Sequence, residues 1–498
     1  MLRVVAVDAG TTSVRALATD LDGTVIDVAT RQLAQSYPQP GWVEQDATEI
    51  LTHVDETLEE LAYRLRLAGD DIAVIGITNQ RETTVAIDRA DGRVLAPAIV
   101  WQDRRTAPMC AALVDDGHAP LLRAKTGLTA DPYFSATKMR WLIEHGVLDG
   151  ARDPGLCTID SLVCWHLTGG VEGGAYVTDP TNASRTLLYD LDAGAWSEEL
   201  CALFGVPASL LPEVRASAGD FGLADGAMLG ATGTIPIRGV AGDQQAALFG
   251  QGCWRPGEGK NTYGTGAFLL LNTGSKRPSS QGLLATLACD ANGAPVFALE
   301  ASIFIAGAAI QWLRDGLGIV EKASDTEGLA RSLDANDGVY FVPALVGLGA
   351  PHWEPEARGT IVGLTRGTTR AHLVRAALEA MAFGTADVLA LMQERSGVPF
   401  RMLRVDGGVA ANAWLMQFQA DVLGVPVERP DIVETTGLGA AGLAGIAAGV
   451  WRDAHAFIAT RRFQRFEPGA GVAAAAEARA GWARAVRAAL AWARDRGT

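Results

Sequence analysis

Two stretches of the chain share one plan, and that plan restricts the fold more than any other feature. Near the start an apolar run (residues 4–7) meets the polar turn Asp8-Ala9-Gly10-Thr11-Thr12, and a second apolar run (14–18) follows. About 250 residues later, residues 260–263, the turn Gly264-Thr265-Gly266 and the apolar run 267–271 repeat it. Each stretch reads as strand, turn, strand. A hairpin that recurs at this distance points to two related domains, each opening on the same unit. Strand-like runs (73–77, 338–342, 403–405) then alternate with helical patterns (50–67, 306–313, 371–392), which argues for α/β domains. A chain of 498 residues has room for two to four domains at about 150 residues each. The Gly/Pro-rich stretch 250–259 marks the boundary, dividing the chain into 1–249 and 250–498. Residues 473–495, with Trp482, Val486, Leu490 and Trp492 in helical spacing, read as a capping helix.

The charge narrows the class of partner. A net charge of −15 and a pI near 5.0 argue against a nucleic-acid or anionic-membrane partner, each of which needs a basic face. Cys110, Cys157, Cys164, Cys201, Cys253 and Cys289 form no CxxC pair, so a reducing, cytoplasmic setting is expected. Asp8 interrupts the first apolar run, which leaves no secretory leader pattern. The small-residue stretch 437–451 is shorter than a bilayer span, so no integral membrane segment is expected.

Three loops at strand ends could carry chemistry. In Asp8–Ser13, Gly10 permits a tight turn, so backbone N–H groups and the hydroxyls of Thr11, Thr12 and Ser13 can converge on a phosphate. Asp8 would be free to hold a magnesium ion through water. A plain polar hairpin would look the same in isolation. The turn at Gly264-Thr265-Gly266 has the same character, and Asp406-Gly407-Gly408 leads toward Asn412 at a helix start. Together the three favour a bound nucleotide. Gly259-Lys260 resembles the end of a phosphate-binding P-loop, but Trp254 and Asn261 stand at positions that motif cannot accept. Residues 437–442 match GxGxxG without a strand leading in, and their small side chains suit close helix packing better than a dinucleotide. No HExxH or GxSxG pattern occurs. Asp243 follows the strand-like run 235–241 and precedes a helical run, where an aspartate is often only a helix cap. The doubled Gln244-Gln245 after it has no capping purpose. The run 76–85, GITNQRETTV, ends an apolar strand in Arg81 and Glu82, two opposite charges side by side.

With these residues assembled, the sequence resembles the FGGY family of carbohydrate kinases, in particular the members that phosphorylate glycerol. The carriers are DAGTTSVRA at the start, YPQPGWVEQD (37–46), GITNQRETT (76–84), IVWQDRRT (99–106), DPYFSATK (131–138) and TDPTNASRT (178–186). They continue with GVAGDQQAALFGQ (239–251), NTYGTGAF (261–268), AGAAIQWLRD (306–315), GLGAPHWEPEARG (347–359) and RVDGGVAANAWLMQFQ (404–419). The resemblance spans essentially the whole chain. It implies two domains of the ribonuclease-H-like fold shared by actin, Hsp70 and sugar kinases, around a central cleft. It also implies glycerol and ATP as substrates, Mg²⁺ as cofactor, and a homodimer or homotetramer. By it, Arg81, Glu82, Tyr133, Asp243 and Gln244 would bind glycerol's hydroxyls, and Trp101 and Phe268 would wall its carbon skeleton. Each hydroxyl both donates and accepts, so an arginine and a glutamate side by side suit it. Asp243 would be the general base. A carboxylate is a weak base for an unactivated alcohol, which a loose phosphoryl-transfer state tolerates because the proton leaves late. Thr11, Thr12, Ser13, Arg15, Thr265, Gly307, Gln311, Gly408 and Asn412 would contact the nucleotide, with Asp8 and Asp243 beside the metal.

Two rivals follow from the same residues: a kinase for another polyol or a pentulose, and an actin- or Hsp70-like ATP-driven binding protein. Arg81-Glu82 with Trp101 disfavours the first, and a polyol-shaped pocket disfavours the second. Some members of the family bind fructose 1,6-bisphosphate through a basic residue in the loop before the Ile235-Pro236-Ile237 strand, and others are phosphorylated on a histidine just upstream. Here the loop Ala231-Thr232-Gly233-Thr234 has no cation and no histidine lies between His166 and His352. Both handles are therefore expected to be missing.

Overall fold

The computed structural model describes residues 2–67, 71–230, 233–432 and 434–495. Both hairpins form, and each sits inside a sheet of the same plan. The first sheet has six strands in the order Leu223–Asp225, Thr234–Gly242, Ile72–Asn79, Arg3–Ala9, Ser13–Thr19, Val25–Gln32. Its hairpin is antiparallel and closes where the Gly10 N–H donates to the Ser13 carbonyl at 3.0 Å. Ile72–Asn79 then runs parallel to Arg3–Ala9, and Thr234–Gly242 runs parallel to Ile72–Asn79. Ala9 pairs with Asn79, and Asn79 with Gly242, so three strands finish in line. The residues just beyond them gather at one sheet edge, where ligands commonly bind in α/β folds.

The second sheet has seven strands in the order Leu284–Cys289, Pro295–Ile303, Ala267–Gly274, Glu258–Tyr263, Met402–Asp406, Val427–Pro430, Phe463–Phe466. Again the hairpin is antiparallel, and two strands continue parallel beside it. One face carries Tyr263, Leu269, Leu271, Leu299, Leu403 and Val405 and packs under the helices Gly307–Asp315, Arg370–Ser396 and Ala413–Leu423. Strand alternation sends Lys260, Thr262, Phe268, Leu270 and Glu300 to the opposite face, the one turned toward the first sheet.

The helix Thr435–Ala447 contains the GxGxxG stretch, and it belongs to packing. A Cβ at Gly76 would lie 2.3 Å from the Ala440 carbonyl oxygen, and one at Gly239 would lie 2.4 Å from the Ala444 nitrogen. Gly439 lies against Ala246 of the helix Asp243–Gly250 at a separation that leaves no room for a side chain. A helix from the second half of the chain thus seats directly on the first sheet. The tail forms the helix Val472–Arg494, burying Trp482 and Val486 against Phe383 and Val342. One strand reads differently from expectation. Asp337 and Gly338 both take positive φ and turn the chain, so only Tyr340–Val342 is extended, paired with Thr360–Val362 outside the two main sheets.

Among the described residues no helix is long and apolar enough to cross a membrane. Ala231 and Thr232, half of the loop expected to lack a regulatory cation, lie outside the described residues. Arg238 donates to Asp220, and Thr234 begins the strand that Ile237 continues.

Candidate active site

Arg81 and Glu82 lie where the chain leaves the first sheet. Residue Asn79 ends one strand, and Thr84–Asp88 begins a smaller sheet with Pro154–Thr158 and Ala98–Ile99. Between them Glu82 takes a φ of +62°, a conformation that side-chain-bearing residues seldom adopt. The surroundings hold it there. The Glu82 carbonyl accepts from Ser135 Oγ at 3.0 Å and from Lys138 Nζ at 3.5 Å. Lys138 is fully buried, and its ammonium also donates to the carbonyls of Tyr133 at 2.7 Å and Phe134 at 3.3 Å. One cation therefore ties the Glu82 peptide to the Tyr133 peptide.

The two charges do not pair with each other. Arg81 Nη1 meets Glu300 Oε2 at 2.6 Å, and its Nε lies 3.0 Å from Asp243 Oδ1. Glu82 instead accepts from Arg185 Nε at 2.6 Å, and Arg185 Nη2 donates to Glu300 Oε1 at 3.0 Å. The result is a chain of alternating charge: Glu82, Arg185, Glu300, Arg81, Asp243. Burial disfavours the charged forms, which pushes the Glu82 carboxyl up despite Arg81 and Arg185. Burial alone would also raise Glu300, but Arg185 and Arg81 outweigh it and hold that carboxyl at about 2. For Arg81, Glu300 and Glu82 likewise outweigh burial and keep the guanidinium charged.

Asp243 is the first residue of its helix, with Gly242 as the cap, so it is not merely capping. Gly242 is small for a reason: a Cβ there would meet Arg81 Cγ at 2.6 Å and Cδ at 2.7 Å. Asp243 is about one-third exposed, while its neighbours in the chain of charges are buried. Tyr133 receives a hydrogen bond from Arg81 Nη2 at 3.3 Å and packs edge-on against Trp101, with ring centres 5.5 Å apart. Trp101 Nε1 donates to Thr11 Oγ1 at 3.0 Å, which joins this wall to the first hairpin. Gln244 accepts from the buried Lys260, whose Nζ also reaches Thr262 Oγ1 at 2.8 Å. Phe268 lies on the same sheet face as Glu300 and Lys260.

At the first hairpin Thr12 is exposed, Thr11 half-buried and Ser13 buried. Arg15, expected at the phosphates, is drawn to Glu434 at 2.8 Å. Asp8 lies opposite Arg15 in the hairpin, and burial pushes its carboxyl up to about 7, with Arg15 opposing and Asp243 and Glu434 adding to the rise. Gly264, Thr265, Gly307, Gln311, Gly408 and Asn412 line a single cavity of about 480 Å³ on the second half. Two glycines allow close backbone approaches around it. A Cβ at Gly307 would lie 2.5 Å from the Gly264 carbonyl oxygen, and Gly407 has φ +85° with the Tyr263 carbonyl oxygen 2.2 Å from where a Cβ would be. Asn412 caps the helix Ala413–Leu423 by accepting from the Leu415 N–H at 3.0 Å.

Sequence reasoning missed Arg185 and Glu300, and with them the reason Arg81 and Glu82 can be buried at all. The signals were present but weak. Glu300 is the lone charge in the otherwise apolar strand PVFALEASI. Arg185 closes the short polar run Thr181-Asn182-Ala183-Ser184, all of it buried.

Two hairpin-led lobes facing each other across a polar cleft define the phosphotransferase class that shares the actin and Hsp70 fold. The chain belongs to the FGGY family of carbohydrate kinases: the family's N-terminal domain matches residues 3–250 and its C-terminal domain residues 259–448. It is 51% identical over 497 residues to a glycerol kinase of Carboxydothermus hydrogenoformans, covering 98% of both chains. It is 50% identical over 498 residues to a glycerol kinase of Symbiobacterium thermophilum, covering 99% of both. Among solved structures, that of Plasmodium falciparum glycerol kinase with ADP matches with a TM-score of 0.91 at 33% identity, covering 98% of each chain.

Proposed function

We propose that this kinase transfers the γ-phosphoryl group of ATP to a primary hydroxyl of glycerol, giving sn-glycerol 3-phosphate, with Asp243 as the general base. The observation that carries the reading is the run of charge from Glu82 to Asp243, buried except at Asp243, walled by Trp101 and Tyr133 and lying beside the first hairpin. A small polyol needs several donors and acceptors at fixed spacing and little apolar surface. Glu82 accepts, Arg81 and Gln244 donate, and Tyr133 does either. Relatives at about half identity over the full chain carry the name glycerol kinase, which favours glycerol over a pentulose.

The two sheets support a division of labour. The first half, 1–249, holds the polyol and one phosphate hairpin, and the second half, 250–498, holds the adenosine in the cavity of about 480 Å³. Thr11, Thr12 and Ser13 meet the phosphates from one side and Thr265 and Gly408 from the other. Arg15 leaves Glu434 to join them. Asp243 takes the proton of the attacking hydroxyl while Arg81 keeps its carboxylate aimed. Because the transferred group is loosely bonded at the transition state, alignment contributes more than basicity.

Asp8 and Asp243 are an all-oxygen donor set suited to Mg²⁺. Bound there, Mg²⁺ would neutralise charge on the phosphates. The test is ADP release with and without glycerol. Strong glycerol dependence that needs Mg²⁺ is expected; equal release without glycerol, or faster release with a pentulose, would overturn the assignment.

A further inference from the structure

We propose that Glu300 is a positioning residue that assembles the polyol grip from the opposite domain. This rests on the glycerol reading above and deepens it. Of the five members of the charge chain, Arg81, Glu82, Arg185 and Asp243 come from the N-terminal domain, and Glu300 alone comes from the C-terminal domain. It stands on the strand Pro295–Ile303, opposite Leu270 and Leu284, and is completely buried.

Its two oxygens do different work. Oε2 takes Arg81 Nη1 at 2.6 Å, and Oε1 takes Arg185 Nη2 at 3.0 Å, with Arg81 Nη2 at 3.4 Å. Glu300 therefore holds the forked end of Arg81 away from Asp243, which keeps only the Nε contact at 3.0 Å. Without that hold, Arg81 would swing its fork onto Asp243 and form the two parallel bonds that arginine and carboxylate favour. The base would then be occupied and the donor to glycerol lost. Through Arg185, Glu300 also fixes Glu82, because a guanidinium tied at Nη2 can present Nε in only one direction. The geometry of both glycerol-facing charges thus exists only when the C-terminal sheet is seated against the N-terminal one.

The nucleotide contacts make no use of Glu300, and this separates a positioning role from a general structural one. In Glu300→Gln, the KM for glycerol should rise and kcat should fall, each at least ~10-fold, the size of one lost charge-assisted hydrogen bond. The KM for ATP should stay within ~2-fold, since no contact to the nucleotide is touched. Glu300→Asp keeps the charge but shortens the reach by one methylene, and an intermediate loss is expected. It covers the case in which the glutamine variant fails to fold. The decisive arm is a double-mutant cycle with Arg81→Ala: because Glu300 acts in part through Arg81, its substitution should cost distinctly less in that background, the remainder being its hold on Glu82 through Arg185. Full additivity, or an unchanged glycerol KM in a folded single variant, would overturn the proposal. Wild-type protein that turns over no glycerol would instead overturn the reading beneath it, so the two failures are distinct.

Discussion

Arg81 and Asp243 touch each other, yet substituting them should give different kinetics. Asp243→Asn keeps the shape and removes the proton acceptor, so kcat should fall by at least ~10²-fold, the low end for losing a general base. Arg81→Ala removes a ground-state contact and should act mainly on the KM for glycerol. Steady-state kinetics separate the two, and near-normal kcat in Asp243→Asn would remove Asp243 from the base role. Lys138 gives a prediction in pH. Burial pushes its ammonium down from the usual 10.5 to about 8, with Glu82, Asp103 and Asp131 opposing. Between those values the unfolded chain holds a proton that the folded protein has lost, so this group's contribution to stability rises with pH across that window. The neutral amine has two donors for three carbonyls, and the tie between the Glu82 and Tyr133 peptides should slacken. The KM for glycerol should therefore climb above pH about 8, and Lys138→Met should begin high and lack that step. At this scale the family resemblance singled out Arg81, Glu82, Tyr133 and Asp243, and the structure brings the four together around Arg81. The sequence motifs were silent on Arg185 and Glu300, because a pairing across 115 residues leaves no local pattern.

At the scale of elements, the repeated hairpins and the alternation of strands and helices were legible from hydrophobic runs alone. Strand order was not, because parallel neighbours such as Glu258–Tyr263 and Met402–Asp406 are brought together by tertiary packing. The small sheet that carries Thr84–Asp88 was also hidden, since partners such as Ala98–Ile99 are only two residues long. The helix Thr435–Ala447 shows how one motif can have two readings. Its glycines could have bound a phosphate, but Gly439 admits the backbone of Ala246, while Ala440 and Ala444 lie against Gly76 and Gly239. Gly439→Val would force that crossing apart, and overpacking of this kind costs about 1–3 kcal/mol. Urea denaturation should report the loss, and unchanged stability would show that the contact is looser than the backbone distances imply.

The whole molecule is two copies of one plan joined by buried charge, and its regulation should be correspondingly plain. The segment Gly233-Thr234 offers no cation, and the next one along the chain, Arg238, is engaged by Asp220. A doubly phosphorylated sugar needs positive charge to bind. Fructose 1,6-bisphosphate titrated into the glycerol assay at saturating ATP should leave the rate unchanged, whereas inhibition at millimolar effector or below, relieved by Arg238→Ala, would contradict this. The most direct test of the central claim follows the fate of the γ-phosphate itself. In ³¹P NMR of the enzyme with Mg²⁺–ATP, a phosphomonoester on a terminal carbon of glycerol should grow in step with ADP, and neither should accumulate when glycerol is left out. Inorganic phosphate appearing at the same rate with or without glycerol would mean that the cleft hydrolyses ATP and that the buried charges do not serve a polyol.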